Sequence, residues 1–148
     1  MSKKLLFIAI VALVFLSGCL QSDDGNFVAD RCVVERPLQC VGQNYMITET
    51  HVTVELRNSL SENILLKDLE YKTEKSQEWI SCVKNENDKT IISGSSTGRL
   101  TCNFEPGAVV AGQRETVEIR YKKCVYYSDD ECEVQNEEDI LVQTRVLQ

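Results

Sequence analysis

The clearest chemistry in this sequence belongs to its seven cysteines, at positions 19, 32, 40, 82, 102, 124 and 132 of 148 residues. Thiols bind metal, attack as nucleophiles or oxidise in pairs, and spacing helps to separate these uses. Zinc sites draw on closely spaced ligands, often with histidine among them. Here no two cysteines are that close, and the one histidine is His51. Disulfides are therefore expected, and no metal site. Cys32 and Cys40 enclose Pro37, and Cys124 and Cys132 enclose Ser128-Asp129-Asp130, so each pair suits a bridge closing a hairpin or loop. Cys82 and Cys102 then remain, on either side of the turn Gly94-Ser95-Ser96-Thr97-Gly98. The spacing favours 32–40, 82–102 and 124–132. Six cysteines leave other pairings open, among them a cross-sheet bond such as Cys40 to Cys102. In an exported protein the odd seventh thiol needs a separate use.

No other residues assemble a reactive constellation. His51 opens the run His51-Val52-Thr53-Val54-Glu55 on its polar side and is expected to face solvent. A histidine base needs a nucleophile beside it, and no serine lies in a nucleophile turn. Asp129-Asp130-Glu131 and Glu137-Glu138-Asp139 offer oxygens of the kind calcium takes. They lack the EF-hand spacing and read as solvated loop, and Asp23-Asp24 as part of a tether. There is no phosphate-cradling glycine loop, nucleotide fingerprint or basic-aromatic stripe. No catalytic residue and no cofactor is expected, and the protein is read as not an enzyme.

Met1-Ser2-Lys3-Lys4 is a short basic head, followed by an unbroken apolar run of 12 residues, Leu5 to Leu16, and then by Ser17-Gly18-Cys19. This is the three-part shape of a signal peptide. A membrane-spanning helix needs about 20 apolar residues, so an uncleaved single-helix anchor is the shorter-than-usual alternative. Leu16-Ser17-Gly18-Cys19 resembles the lipobox of prokaryotic lipoproteins. The resemblance implies cleavage before Cys19 and a lipid on its thiol, which tethers the chain to a membrane outside the cytosol, at the cell surface or in the periplasm. It also accounts for the seventh cysteine. The expected organisation is a signal peptide over 1–18, a flexible tether over 19–30 and one folded domain over 31–148. Loss of Lys3 and Lys4 takes the basic count from 16 to 14 against 23 acidic residues, a net charge of −9. Such a body is a poor nucleic-acid binder and is repelled by anionic membranes.

The elements that must position the cysteines read as strands. Val52, Val54 and Leu56 share one face of His51–Arg57; Val117, Ile119 and Tyr121 share one face of Thr116–Lys122. Leu100, Cys102 and Phe104 repeat the pattern, as do Ile140, Val142, Thr144 and Val146. Period two with β-branched residues marks half-buried strands. Ile64–Lys72, Gln77–Val83 and Thr90–Ser93 are weaker candidates, and Glu62–Lys75 also has a composition that tolerates helix. Turn signals follow each run, at Asn58-Ser59, Gly94–Gly98, Glu105-Pro106-Gly107 and Ala111-Gly112-Gln113. The expected fold is all-β: an immunoglobulin-like two-sheet sandwich of about seven strands, stapled by disulfides, after an N-terminal signal helix. The strand end Val54-Glu55-Leu56-Arg57-Asn58 and the later Ala111-Gly112 before a last alternating strand resemble, over about residues 45–123, the CARDB-type immunoglobulin-like modules of prokaryotic surface proteins. The six cysteines depart from those mostly cysteine-free modules.

Trp79, Tyr126 and Tyr127 are the candidate partner contacts, because aromatics bury much area at low entropic cost. Trp79 is better suited to be the core aromatic of a sandwich, whereas for Tyr126 and Tyr127 the two readings stand even. The expected function is a non-catalytic binding or structural module on a lipid anchor, with a protein or envelope polymer as partner and no nucleic acid. The alternative is an accessory or inhibitory lipoprotein of a secreted enzyme or transport system.

Overall fold

Alternating apolar residues bury one side of a pleated strand and leave the other for water, and nine strands result among the described residues. The computed structural model describes residues 29–83, 90–125 and 136–148, with no helix among them. The strands are β1 (Arg31–Val34), β2 (Leu38–Thr48), β3 (His51–Asn58), β4 (Ile64–Thr73), β5 (Ile80–Ser81), β6 (Thr90–Ile92), β7 (Thr97–Asn103), β8 (Arg114–Val125) and β9 (Asn136–Leu147). The sheet runs β5-β4-β8-β9-β2-β3-β7, with β1 paired to β9 and β6 to β4. All pairs are antiparallel except β2 with β9, where Ile47 lies beside Val146 and Thr48 beside Leu147. The fold is thus all-β, and the sheet is mixed and curled. Its inward faces meet in one core: Val52, Val54 and Leu56 of β3 cluster with Ile64 and Tyr71 of β4, Ile119 of β8 and Ile140 of β9.

Two irregularities let long strands follow the curl. Between Lys67 and Glu70 the β4–β8 register slips by one residue, and Asp68 takes a positive φ of 52°. This bulge moves the buried positions of β4 from even numbers (Ile64, Leu66) to odd ones (Tyr71, Thr73). The segment that tolerates helix in composition is therefore a strand with a phase change. In β2 the register with β3 shifts between Cys40 and Tyr45, where Gly42 has a φ of 53° that favours glycine.

The ends of the curled sheet are stapled together. Cys82, which follows β5, is bonded to Cys102 of β7, the strand at the opposite end of the path. Beside it the Val83 amide donates to the Asn103 carbonyl at 2.9 Å. A second bridge, Cys32–Cys40, ties β1 to β2. The alternative Cys40–Cys102 bond is absent. Cys124 is also disulfide-bonded; its expected partner Cys132 lies outside the described residues, as do Cys19, the signal segment and most of the tether.

Asn58 locks one end of the fold. It is fully buried, and its Nδ2 donates to the carbonyls of Glu62 at 2.7 Å and Ile92 at 3.1 Å. Its Oδ1 accepts from the Leu60 amide, and its own amide donates to the Ser96 carbonyl. One side chain thus joins the end of β3, the β3–β4 connection and the β6–β7 turn. Gly94 in that turn has no room for a side chain, since a Cβ would sit 1.8 Å from the Ser61 carbonyl oxygen.

On chain entropy, a bridge spanning 20 residues stabilises by about 3 kcal/mol and one spanning 8 by about 2.5 kcal/mol. The Cys82–Cys102 bridge also holds the sheet ends in contact. Replacing Cys82 and Cys102 by alanine should lower the urea midpoint more than replacing Cys32 and Cys40. Equal losses would show that the first bridge does no more than shorten the unfolded chain.

Candidate functional site

β8 and β9 are long neighbours, and their ends define the two poles of the domain. Arg114 at the start of β8 faces Arg145 near the end of β9 and pairs with Asp30 at 2.9 Å. This Asp30 pole also holds the β2–β3 turn and the 104–113 connection, because the Ala111 amide reaches Glu49 Oε1 and the Gly112 amide the Val146 carbonyl. At the other pole Lys123 faces Asn136, and Val125 faces Ile64. Ser59 bonds to the Pro37 carbonyl there, and Ser95 to that of Leu60, so that this pole is rich in hydroxyls. Eleven residue steps of β8 separate the poles by roughly 36 Å.

Within the Pro37 pole lies a buried polar cluster. Lys123 and Glu138 form an ion pair with side chains only 10% and 9% exposed. The Tyr121 hydroxyl donates to the other Glu138 oxygen at 3.0 Å. Tyr121 and Lys123 continue the inward set of β8 after Ile119, and Glu138 precedes Ile140 on the inward set of β9. Burial first, and then the neighbouring Glu138 carboxylate, pushes the Tyr121 phenol well above its ordinary value. The cluster was visible in the sequence only as an opposite pair of charges at inward positions of two alternating runs. Its geometry cross-links two core strands. Removing one charge from a buried pair costs about 3–5 kcal/mol, whereas replacing the whole cluster with apolar groups restores most of that.

The other candidates are more dispersed. His51 is half-buried, and its Nδ1 lies 3.0 Å from both Thr48 Oγ1 and Thr50 Oγ1. These contacts tie it into the β2–β3 turn instead of leaving it facing solvent. Trp79 is absent from the core, where Tyr71, Phe104 and Tyr121 are the aromatics. It lies half-buried with the Arg120 guanidinium 3.9 Å and the Lys72 ammonium 4.8 Å from its ring centre. Cation–π attraction holds it there. The expectation of a core tryptophan is corrected: Tyr71 fills the interior, with its ring 4.8 Å from that of Phe104 and its hydroxyl accepting from the Glu105 amide.

Of the acidic groups, Glu138 is turned inward and Asp139 pairs with Arg120 at 3.3 Å. Asp129-Asp130-Glu131, Tyr126 and Tyr127 lie outside the described residues. Among the described residues no three His, Cys, Asp or Glu side chains gather as a metal-ligand set. A groove of about 900 Å³ opens beside the staple, between the β4 bulge and β7. Its Lys122 is paired with Asp68 at 3.0 Å and its Arg120 with Asp139, and Lys67, Glu70, Arg99 and Glu137 also line it. Two disulfides place the domain in an oxidising, extracytoplasmic environment. No helix of the described residues is long and apolar enough to cross a membrane. The chain matches no protein-family model and no curated protein.

Tyr121 supplies a pH test. Its raised pKa means that its contribution is fully present below about pH 10 and is lost as pH rises further. Denaturant titrations at about pH 8 and about pH 11 should show an alkaline loss of stability that shrinks in Tyr121→Phe. At neutral pH, Lys123→Met alone should cost about 3–5 kcal/mol, and Lys123→Met with Glu138→Leu and Tyr121→Phe far less. A triple variant as unstable as the single one would show that packing, not charge, dominates this cluster.

Proposed function

We propose that this protein is a lipid-anchored, non-catalytic binding module of the cell envelope, held through Cys19 and presenting the pole opposite its tether to a protein or envelope-polymer partner. The observation that carries this reading is the polarity of the domain. The chain enters at Asp30, beside Arg114, whereas Val125 and Asn136, which flank the segment holding Tyr126 and Tyr127, lie at the far ends of β8 and β9. A tether at one pole leaves the other free to meet a partner, with the two tyrosines as its contacts. Trp79, half-buried, serves as a side contact. The disulfides fit such a position, since exported domains rely on them where reducing buffers are absent. The contacts of His51, Glu138 and Asp139 within the fold support a structural use of these side chains.

The same reading treats the curled sheet as a variant of the immunoglobulin-like sandwich. β3 and β7 form one layer, β4, β8 and β9 the other, and the parallel contact of β2 with β9 lies at the seam.

Intact mass of detergent-extracted protein tests the anchor. The mature chain should begin at Cys19 and carry a diacylglyceryl group, and Cys19→Ala should abolish membrane retention. A chain still beginning at Met1 would overturn the lipoprotein reading. For the contact surface, Tyr126→Ser with Tyr127→Ser should reduce cross-linking to envelope partners on intact cells while leaving the urea midpoint within about 0.5 kcal/mol of the parent. Undiminished cross-linking would remove these tyrosines from the interface.

A further inference from the structure

The Asp30 pole carries exposed groups that the fold does not use. Among the large hydrophobic residues left in water, Met46 at 37% exposure, Val110 at 40% and Leu147 at 50% lie there. Ile47 and Val146, which pair in the parallel contact, both turn into the core. Strand alternation therefore puts Met46 of β2 with Arg145 and Leu147 of β9 on the outer side of that contact. Val110 belongs to the connection that the Gly112 amide fastens to the Val146 carbonyl. Two exposed arginines, Arg31 and Arg145, stand at the same pole and make no ion pair among the described residues. Of the nearby acids, Asp30 pairs with Arg114 and Glu49 accepts from the Ala111 amide, while Glu105 is exposed.

We infer that this pole docks on the lipid bilayer, with Met46, Val110 and Leu147 entering the headgroup boundary and Arg31 and Arg145 meeting lipid phosphates. The inference rests on the anchor proposed above, which fixes where the chain ends. Eleven residue steps separate Cys19 from Asp30. A flexible chain of that length has a root-mean-square span of about 18 Å, well short of the roughly 36 Å between the poles. The Asp30 pole is thus the one held against the membrane. Apolar side chains at an interface settle about 5–10 Å into the headgroup and acyl boundary, and guanidinium groups bind phosphate in bidentate fashion. Apolar insertion and these two arginine–phosphate contacts act together against the repulsion expected for a domain whose net charge is acidic.

The test uses the full lipidated protein in vesicles of phosphatidylethanolamine and phosphatidylglycerol, some carrying bromine on the acyl chains. In a Trp79→Phe background a single tryptophan is placed by Val110→Trp, Leu147→Trp or Ile91→Trp. Ile91 is as exposed, at 45%, but pairs with Leu65 away from the Asp30 pole. Bromolipid should quench about half the fluorescence of the first two and little of the third. No quenching at 110 and 147, in protein whose mass shows lipid on Cys19, would overturn the docking and leave the anchor standing. Equal quenching at all three positions would also overturn it, because the domain would then lie without preferred orientation. Absence of lipid on Cys19 would remove the anchor and this inference with it.

Discussion

The closure of the sheet is the constraint on which the other features depend. A curled sheet with two free ends exposes unpaired backbone at both and invites pairing with other chains. Here the terminal strands β5 and β7 meet through Cys82–Cys102 and the Val83–Asn103 hydrogen bond. Closure turns the inward faces of β3, β4, β8 and β9 toward one another, which is what allows Tyr71, Tyr121 and Leu100 to be fully buried. The bulge at Asp68 belongs to the same requirement: an extra residue bends the strand and changes its phase.

With the backbone closed, polar side chains decide how the interior is divided. Asn58 satisfies carbonyls from separate segments where no ladder reaches them, and Lys123, Glu138 and Tyr121 do the same for a charged pair between β8 and β9. Both clusters lie toward the Pro37 pole. The outer surface of β4 and β8 is covered differently, by Trp79 beneath Lys72 and Arg120 and by the Lys72–Glu118 pair at 2.8 Å. Polar groups inside thus fix geometry, while those outside screen the sheet from water.

What could be read from the residues followed from period two. β3, β8 and β9 alternate because each is buried on one side only, and His51–Arg57, Thr116–Lys122 and the run from Ile140 were legible for that reason. β4 was ambiguous because a one-residue bulge breaks the alternation midway, and a broken alternation with leucine and lysine also suits a helix. β1 and β2 were missed: β1 is four residues long, and the excursion at Gly42 spoils the pattern of β2. Local spacing favoured Cys32–Cys40 and Cys82–Cys102. The inward turn of Glu138 was hidden by its acidic neighbours, and the place of Trp79 by the cations that cover it, which come from strands apart in sequence.

Cys32–Cys40 has a mechanical meaning. Under the anchoring proposed above, a pull through the chain entering at Asp30 would reach β1 at Arg31, whereas one from a partner at the far pole would act along β8 and β9. The four residues of β1 lie antiparallel to β9, from Arg31 beside Gln143 to Val34 beside Ile140. Opposed forces along this direction load those rungs together in shear instead of unzipping them singly. Should β1 slip, Cys32 passes the tension directly to Cys40 in β2, so the load is shared with β3 through a covalent link. The short first strand would then behave as a strain-relief coupling between the chain entering at Asp30 and the body of the domain.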